Sequence, residues 1–247
     1  MSRNGVEGRG EIIPVNQSTY RQNVEQIHQI AEKMDGDVLG KPGWMLYSSY
    51  TTLVRGEYYF LGVNPAGSGE VPPKTVQYSL DGLTGFTKEA GKNQFLDVSW
   101  NDDPESKERR PLQERFRFLF EDELGLDPHT VCASNLIFKS GKKEKDSGGW
   151  PMAEKCWPIH KAIIQEIVKP RVIITHGRLP FDFISDKLKG KPIQEPQPCK
   201  HGNWTWRCSR LETGQKLIGL PHLSIYAIDS QSRADIVKEI VKQIQSD

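Results

Sequence analysis

The sequence predicts a three-layer α/β/α domain with a mostly parallel central sheet. Short apolar segments alternate along the chain with amphipathic segments at helical spacing. Several apolar segments are hydrophobic at every position, as expected for strands that are covered by helices on both faces. The 247 residues suffice for one sizeable domain, so we expect a flexible tail over residues 1–15 and a single domain over residues 16–247.

The first half of the chain contains signals for two helices and two core strands. Helices are predicted over residues 20–34 and 112–124, since Ser18 and Thr19 can cap the first, and Pro111 and Gly125 bound the second. Buried strands are predicted over residues 57–63 and 130–138, and a short strand over residues 51–54. Residues 82–111 are polar and rich in turn residues, which indicates an elaborated surface region.

The second half of the chain begins with a basic loop and then continues the alternation. The loop covers residues 139–150, and a polar stretch covers residues 189–202. Helices are predicted over residues 152–168, 177–188 and 229–244, and strands over residues 171–175, 204–208 and 216–220.

Composition favours a globular protein of the cytoplasm or nucleus. The net charge is +1, and 36% of the residues are hydrophobic. No stretch approaches the roughly 20 apolar residues of a membrane helix, and residues 1–14 lack an apolar signal segment. We therefore expect no membrane partner, and a cytoplasmic (nucleoid-associated) or nuclear location. The cysteines form no C-x-x-C pair, so we expect reduced thiols and no bound metal. The alternative is a zinc ion held by Cys199, His201 and Cys208 with a fourth partner.

Polar residues follow the predicted strands. In sheets of this kind, ligands bind at the carboxyl ends of the strands, where Asn64, Asn135, His176 and His222 lie. Either amide can read a base edge, and Asn64 can also hold a water, although both also suit ordinary loop bonding. His222 can donate to an oxygen that becomes anionic, or be an ordinary loop histidine. We interpret His176 as structural, or as a support behind the residues that touch the ligand, because Gly177 at once begins a helix.

Together these strand ends resemble the uracil-DNA glycosylase superfamily in their order along residues 58–226. Gly62-Val63-Asn64-Pro65 matches the first motif in the Gly-x-Asn-Pro form of the mismatch-specific and single-strand-selective branches, where other branches carry an acid. Residues 169–177 resemble the penultimate core strand. His222-Leu223-Ser224 resembles the final His-Pro-Ser motif, with Leu223 in place of proline.

The resemblance implies roles in base excision. Asn64 would position the water that attacks C1′ of the sugar, orienting rather than deprotonating it, because an amide cannot accept a proton as a carboxylate does. His222 would stabilise negative charge on the departing base. Base contacts would come from Asn135, Gly62 and Val63, with Tyr78 stacked on the flipped base.

The resemblance also implies which residues contact DNA. Ser224 would contact a phosphate, and Tyr226 would act as the wedge that fills the vacated stack. Ser68, between two glycines, is a candidate for a second phosphate contact. The residues Lys139, Lys142, Lys143 and Lys145 predict a local basic patch, with a plain solvated surface as the alternative.

The predicted function is that of a monofunctional DNA glycosylase, acting in repair or antiviral defence. We expect a monomer without cofactor that acts on single- or double-stranded DNA containing an altered base. The base would be uracil or a modified pyrimidine, including a modified base of viral DNA, because residues 71–111, residues 141–150 and Leu223 leave room for a larger base. The alternatives are a non-catalytic nucleic-acid-binding module on the same fold and an enzyme of free nucleotides. The chain lacks a phosphate loop, a G-x-S-x-G elbow and iron–sulfur cysteine spacing.

Overall fold

The computed structural model describes residues 17–34, 36–66, 73–101 and 109–246. The tail predicted over residues 1–15 lies outside these ranges. The helices are α1 (Gln17–Ala31), α2 (Gly36–Leu39), α3 (Val76–Thr84), α4 (Pro111–Arg117), α5 (Glu144–Ser147), α6 (Gly149–Ala162), α7 (Arg178–Lys187) and α8 (Ala234–Gln245). The strands are β1 (Tyr58–Gly62), β2 (Cys132–Asn135), β3 (Val172–His176), β4 (Lys191–Pro192), β5 (Gln197–Pro198), β6 (Thr205–Arg210) and β7 (Lys216–Leu220).

The strands form one seven-stranded sheet in the order β2-β1-β3-β7-β6-β4, with β5 paired to β6. Strands β2, β1, β3 and β7 run parallel to their neighbours. The pairings of β6 with β7, β4 and β5 are antiparallel. The predicted three-layer α/β/α class with a mostly parallel sheet is confirmed.

Two hydrophobic cores lie on opposite faces of the sheet. In β1, Tyr59 and Leu61 join the core that contains residues of α1, α3, α6 and α7. Phe60 joins the other core, to which α4 and α8 contribute. Successive side chains of a strand point to opposite faces, so a strand covered on both sides needs apolar residues throughout. This explains why the strand pattern of residues 57–63 is continuous rather than alternating.

Several local predictions are wrong or incomplete. Residues 51–54 are no strand, because a 3-10 turn forms at Tyr50–Thr52, where the Ser49 hydroxyl accepts the Thr51 backbone N–H at 3.2 Å. The predicted basic loop contains α5, and the polar stretch after α7 contains β4 and β5. The turn-rich region before α4 is not all surface, since Phe95 is buried against aromatic rings of the second core.

The carboxyl ends of three neighbouring strands lie level with one another. Gly62 of β1 pairs in register with Asn135 of β2. On the other side, Leu61 pairs with Thr175, so His176 is the next residue along β3. The end of β1 is therefore flanked by an amide and an imidazole. Within the described part of the chain, no helix is long and apolar enough to cross a membrane.

Candidate functional site

Asn135 and His176 lean over Gly62 from its two sides. A Cβ atom on Gly62 would lie 2.2 Å from Asn135 Oδ1 and 2.8 Å from His176 Nε2. Real Cβ atoms do not approach other atoms this closely, so Gly62 must be glycine. The two polar atoms consequently lie within about 5.0 Å of each other, the sum of those distances being the upper limit. The floor of the site is thus a backbone glycine beneath two side chains.

A segment that no strand pattern predicts lies beside Asn135. Residues 43–47 run along β2, and the Tyr47 backbone N–H donates to the Ala133 carbonyl at 2.8 Å. This places the Tyr47 hydroxyl beside the Asn135 side chain. Burial raises the pKa of Tyr47, so the hydroxyl keeps its proton. Tyr47 therefore orients the amide, and no strand pattern or motif marks it.

The buried side chain of His176 lies directly over Gly62 and so forms part of the site. Its ring is 2% exposed and is stacked on Phe60, with centroids 5.0 Å apart and planes 19° apart. Neither Nδ1 nor Nε2 has a hydrogen-bond partner within the described structure. Burial, and then the neighbouring His222, lower the pKa of His176 well below its usual value, so the ring is neutral. A purely structural role does not explain why both ring nitrogens are buried without a hydrogen-bond partner within the described residues.

His222 lies with its ring edge-on to His176, with centroids 5.0 Å apart and planes 75° apart. The backbone N–H of Ser224 donates to His222 Nδ1 at 3.3 Å. Because Nδ1 accepts this bond, the proton of the neutral ring sits on Nε2. Burial lowers the pKa of His222, which keeps the ring neutral near pH 7. The arrangement offers one N–H donor at Nε2.

Gly177 allows the loop after β1 to approach the loop after β7. Its φ is +95°, a conformation that favours glycine. A Cβ atom there would lie 2.7 Å from Val63 Cγ2 and 3.5 Å from His222 Cδ2. Val63 and His222 therefore meet at Gly177. Gly177 is therefore required by the packing of this site.

Asn64 ties the loop after β1 to the loop after β2. Its Nδ2 donates to the carbonyls of Pro65 at 2.9 Å and Gly141 at 2.7 Å. The Gly141 backbone N–H donates in turn to the Pro65 carbonyl at 2.9 Å. With both amide protons directed to the backbone, Oδ1 is the side-chain atom that can accept a hydrogen bond from a water. The same bonds also satisfy the alternative interpretation of Asn64 as a turn residue.

The basic loop lies beside Asn64, because Gly141 belongs to it. Lys142, Lys143 and Lys145 are exposed. Lys139 differs from them, since it is half-buried and its ammonium donates to the Asp146 carbonyl at 2.9 Å. Three of the four predicted lysines therefore have side chains open to solvent at this edge.

The loop after β7 corrects the predicted wedge. Tyr226 is buried, because a helical turn in which its N–H donates to the His222 carbonyl at 2.9 Å directs the ring into the second core. Its hydroxyl donates to the Cys199 carbonyl at 3.1 Å. A wedge must be exposed, so Tyr226 cannot serve in this arrangement. Ser224 is exposed, and the neighbouring Ile225 is the exposed apolar side chain, at 64%.

Arg115 anchors this loop from α4, and the sequence did not single it out. Its guanidinium donates through Nη1 to the Leu223 carbonyl and through Nε to Asp229 Oδ1 at 3.2 Å. The side chain is only 12% exposed. These contacts hold Leu223, the residue next to His222, and Asp229 further along the same loop.

Tyr78 is held in a surface cluster with other partners. Its hydroxyl donates to Glu89 Oε2 at 2.9 Å, and its ring lies 5.3 Å from Lys74 Nζ and 6.3 Å from the Trp44 ring. None of these partners belongs to the group over Gly62. These contacts lend no support to the predicted stacking on a base. Ser68 lies outside the described residues.

The cysteines are buried and unpaired, and burial raises the pKa of Cys199 to about 11. Among the residues with described coordinates, no group of three or more His, Cys, Asp or Glu side chains is arranged to hold a metal ion. This applies to Cys199, His201 and Cys208, the set considered for zinc.

Comparison with known proteins gives no family assignment: no family model matches the chain, and no curated protein is significantly similar to it.

Proposed function

We propose that this chain is a monofunctional DNA glycosylase that hydrolyses the N-glycosidic bond of a flipped-out uracil or modified pyrimidine base. One observation carries the proposal. Asn135 and His176 meet over Gly62, and His222 lies against His176, so neutral hydrogen-bonding groups from three strand ends share one place. Such groups suit a polar, uncharged ligand with several donors and acceptors, as a nucleobase is.

Asn135 supplies recognition of the base edge in this proposal. Its amide offers both an acceptor and donors, and the side chain is 7% exposed. A base that leaves the buried amide unpaired loses about 1–3 kcal/mol of binding free energy. Tyr47 lies beside the amide and so limits which way it can face, with the amide N–H groups towards the phenol oxygen and Oδ1 free for the base.

His222 supplies stabilisation of the leaving group. As the glycosidic bond breaks, negative charge develops on the base and positive charge on the sugar. A fixed Nε2–H donor aimed at a base oxygen stabilises that charge without reorganisation, because Ser224 already holds the ring. His222 keeps its proton throughout and acts through the hydrogen bond.

Asn64 orients the water that attacks C1′ in this proposal. Its two bonds to backbone carbonyls fix the amide plane, and Oδ1 accepts a hydrogen bond from the water. The water adds to C1′ after the bond to the base has largely broken, so no strong base is needed at this step. The proton leaves to solvent once the new C–O bond has formed.

Contacts with DNA are assigned to the exposed residues at the same edge. Extruding a nucleotide costs a few kcal/mol, which a wedge and phosphate contacts offset. Ile225, exposed beside His222, takes the wedge role in place of Tyr226. Ser224, Lys142 and Lys143 are the exposed candidates for phosphate contacts.

The test is a panel of oligonucleotides that each carry one altered base, from uracil to the enlarged modified cytosines of viral DNA. Abasic sites are measured as strand breaks after alkali, in single and double strands. The wild type should produce breaks with at least one base, and His222→Ala should lower the rate by about 100-fold or more. A wild type that produces none on the whole panel would refute the proposal.

A second candidate is a non-catalytic nucleic-acid-binding module on the same fold. The donation of both Asn64 amide protons to backbone carbonyls favours it, since this alone accounts for the residue. It predicts tight binding of the altered strand without abasic sites, and equal binding by Asn64→Ala.

A further inference from the structure

We propose that His176 contacts the ligand directly and, together with Asn135, recognises the polar edge of a pyrimidine base. The inference rests on the proposed function and deepens it, since it names a specificity-determining residue of the same site. The role differs from a structural one, in which the ring would only pack between Phe60 and His222.

The first step of the argument is the unpaired imidazole. A neutral imidazole has one donor and one acceptor, and in His176 both nitrogens are buried without a partner. Burying them this way lowers the stability of the ligand-free protein, because water no longer satisfies them. A folded chain that keeps such a group has a use for it, and a ligand that bonds it recovers the lost free energy.

His160 shows how this chain treats a structural histidine. It is as deeply buried as His176, at 0% exposed. Its Nδ1 lies 2.8 Å from the Tyr59 hydroxyl, and its Nε2 lies 3.0 Å from the Leu136 carbonyl. Both nitrogens are thus satisfied inside the protein. The contrast sets His176 apart from a histidine that serves packing alone.

The direction of the ring gives the ligand chemistry. Oδ1 of Asn135 and Nε2 of His176 lie 2.2 Å and 2.8 Å from the same point above Gly62, the position that a Cβ atom would occupy. Asn135 Oδ1 accepts, so the ligand must present a donor there, such as the N3–H of uracil or the exocyclic amine of cytosine. His176 Nε2 bonds the adjacent group of that edge, donating to an oxygen or ring nitrogen when it carries the proton.

The ring is held ready for this contact. Stacking on Phe60 and the edge-on contact with His222 fix its plane, so little freedom is lost when a ligand binds. Among the residues that the structure describes, no group bonds either nitrogen and fixes the tautomer, so the ligand selects it. The pair can therefore accept either the uracil or the cytosine pattern, and the loops around it decide which bases fit.

The experiment compares His176→Phe with His160→Phe in the full chain. Each variant keeps an aromatic ring and removes both nitrogens. Three properties are measured: thermal unfolding without ligand, binding of free uracil and free cytosine by calorimetry, and kcat/KM on the oligonucleotide from which the wild type releases a base. His176→Gln is included as a rescue variant, because an amide restores a donor and an acceptor.

We expect His176→Phe to unfold at or above the wild-type temperature, whereas His160→Phe unfolds at least about 4 °C lower, having left Tyr59 and Leu136 unpaired. We expect His176→Phe to lose at least about 100-fold in kcat/KM and to lose binding of the free base. His176→Gln should regain part of both.

The proposal is overturned if His176→Phe unfolds as early as His160→Phe, or if it keeps wild-type base affinity and kcat/KM. Failure of the proposed function looks different: the wild type then releases no base from DNA. In that case the role of His176 stands only if the wild type binds a free base and His176→Phe does not. A wild type that releases no base from DNA and binds neither uracil nor cytosine overturns both proposals.

Discussion

The backbone N–H of Ser224 donates to Nδ1 of His222 at 3.3 Å, and this bond determines which nitrogen of the imidazole carries the proton. A histidine protonated on Nδ1 would meet the same N–H with a donor instead of an acceptor. The bond from Ser224 and the burial of the ring therefore both favour the neutral imidazole, since burial lowers the pKa of His222.

The first prediction concerns the pH profile of kcat/KM, whose fall on the acid side should begin at unusually low pH. Because the pKa of His222 lies below its ordinary value of 6.5, base release should stay constant as the pH falls through 6.5 and decline only below it. Protonation of Nδ1 then breaks the bond from Ser224. The measurement is the pH profile of kcat/KM. His222→Gln should lack this fall, and a fall that persists in this variant belongs to another group.

The second prediction concerns Gly62→Ala. A methyl group would lie 2.2 Å from Asn135 Oδ1 and 2.8 Å from His176 Nε2, and must displace both side chains. We expect base release to fall by at least about 100-fold, because the recognition pair moves. Overpacking should lower the free energy of unfolding by about 1–3 kcal/mol. Gly36→Ala is the control, since a Cβ there meets nothing within 4 Å; equal effects in both would refute the steric account.

The third prediction concerns the anchor of the His222 loop. Arg115→Ala removes the bonds to Leu223 and Asp229, so His222 loses its fixed position. We expect kcat to fall by about 10- to 100-fold, with a smaller change in DNA binding. The control is Arg117→Ala on the same helix, whose ion pair with Glu121 is exposed and is worth less than about 1 kcal/mol. Full activity of Arg115→Ala would show that the loop needs no anchor.

The fourth prediction concerns the exposed lysines. If Lys142 and Lys143 contact phosphates, replacing both with glutamine lowers the slope of log affinity against log salt by about 2. Lys169→Gln is the control, because Lys169 is exposed just before β3 and so lies at the opposite edge of the sheet. Affinity measured at several salt concentrations checks this. An unchanged slope would make the loop a plain solvated surface.

The parallel part of the sheet was predictable from the sequence because β1, β3 and β7 are largely apolar, and this pattern survives without tertiary information. The same patterns located Asn64, Asn135 and His222 at strand ends. They could not show that Asn135 and His176 face the same side. That follows from the register of β1 with β2 and β3, which pairs residues distant in the sequence.

The remaining site residues depend on packing that local patterns do not encode. Tyr47 reaches Asn135 from a segment without a strand pattern, and Arg115 reaches Leu223 across 108 positions of the chain. The direction of Tyr226 is set by one helical turn after His222, which exposes Ile225 instead. Spacing along the chain placed the wedge at Tyr226, a side chain that this turn buries.

The most direct test of the central claim is to count products in one reaction. The wild type is incubated with an oligonucleotide carrying the altered base, and mass spectrometry measures free base and abasic strand together. Base excision predicts one free base for each abasic site, with the sugar–phosphate backbone intact. His222→Ala and Asn64→Ala should release almost none while still binding the strand. Strand binding without any free base, or strand cleavage without it, would contradict the account.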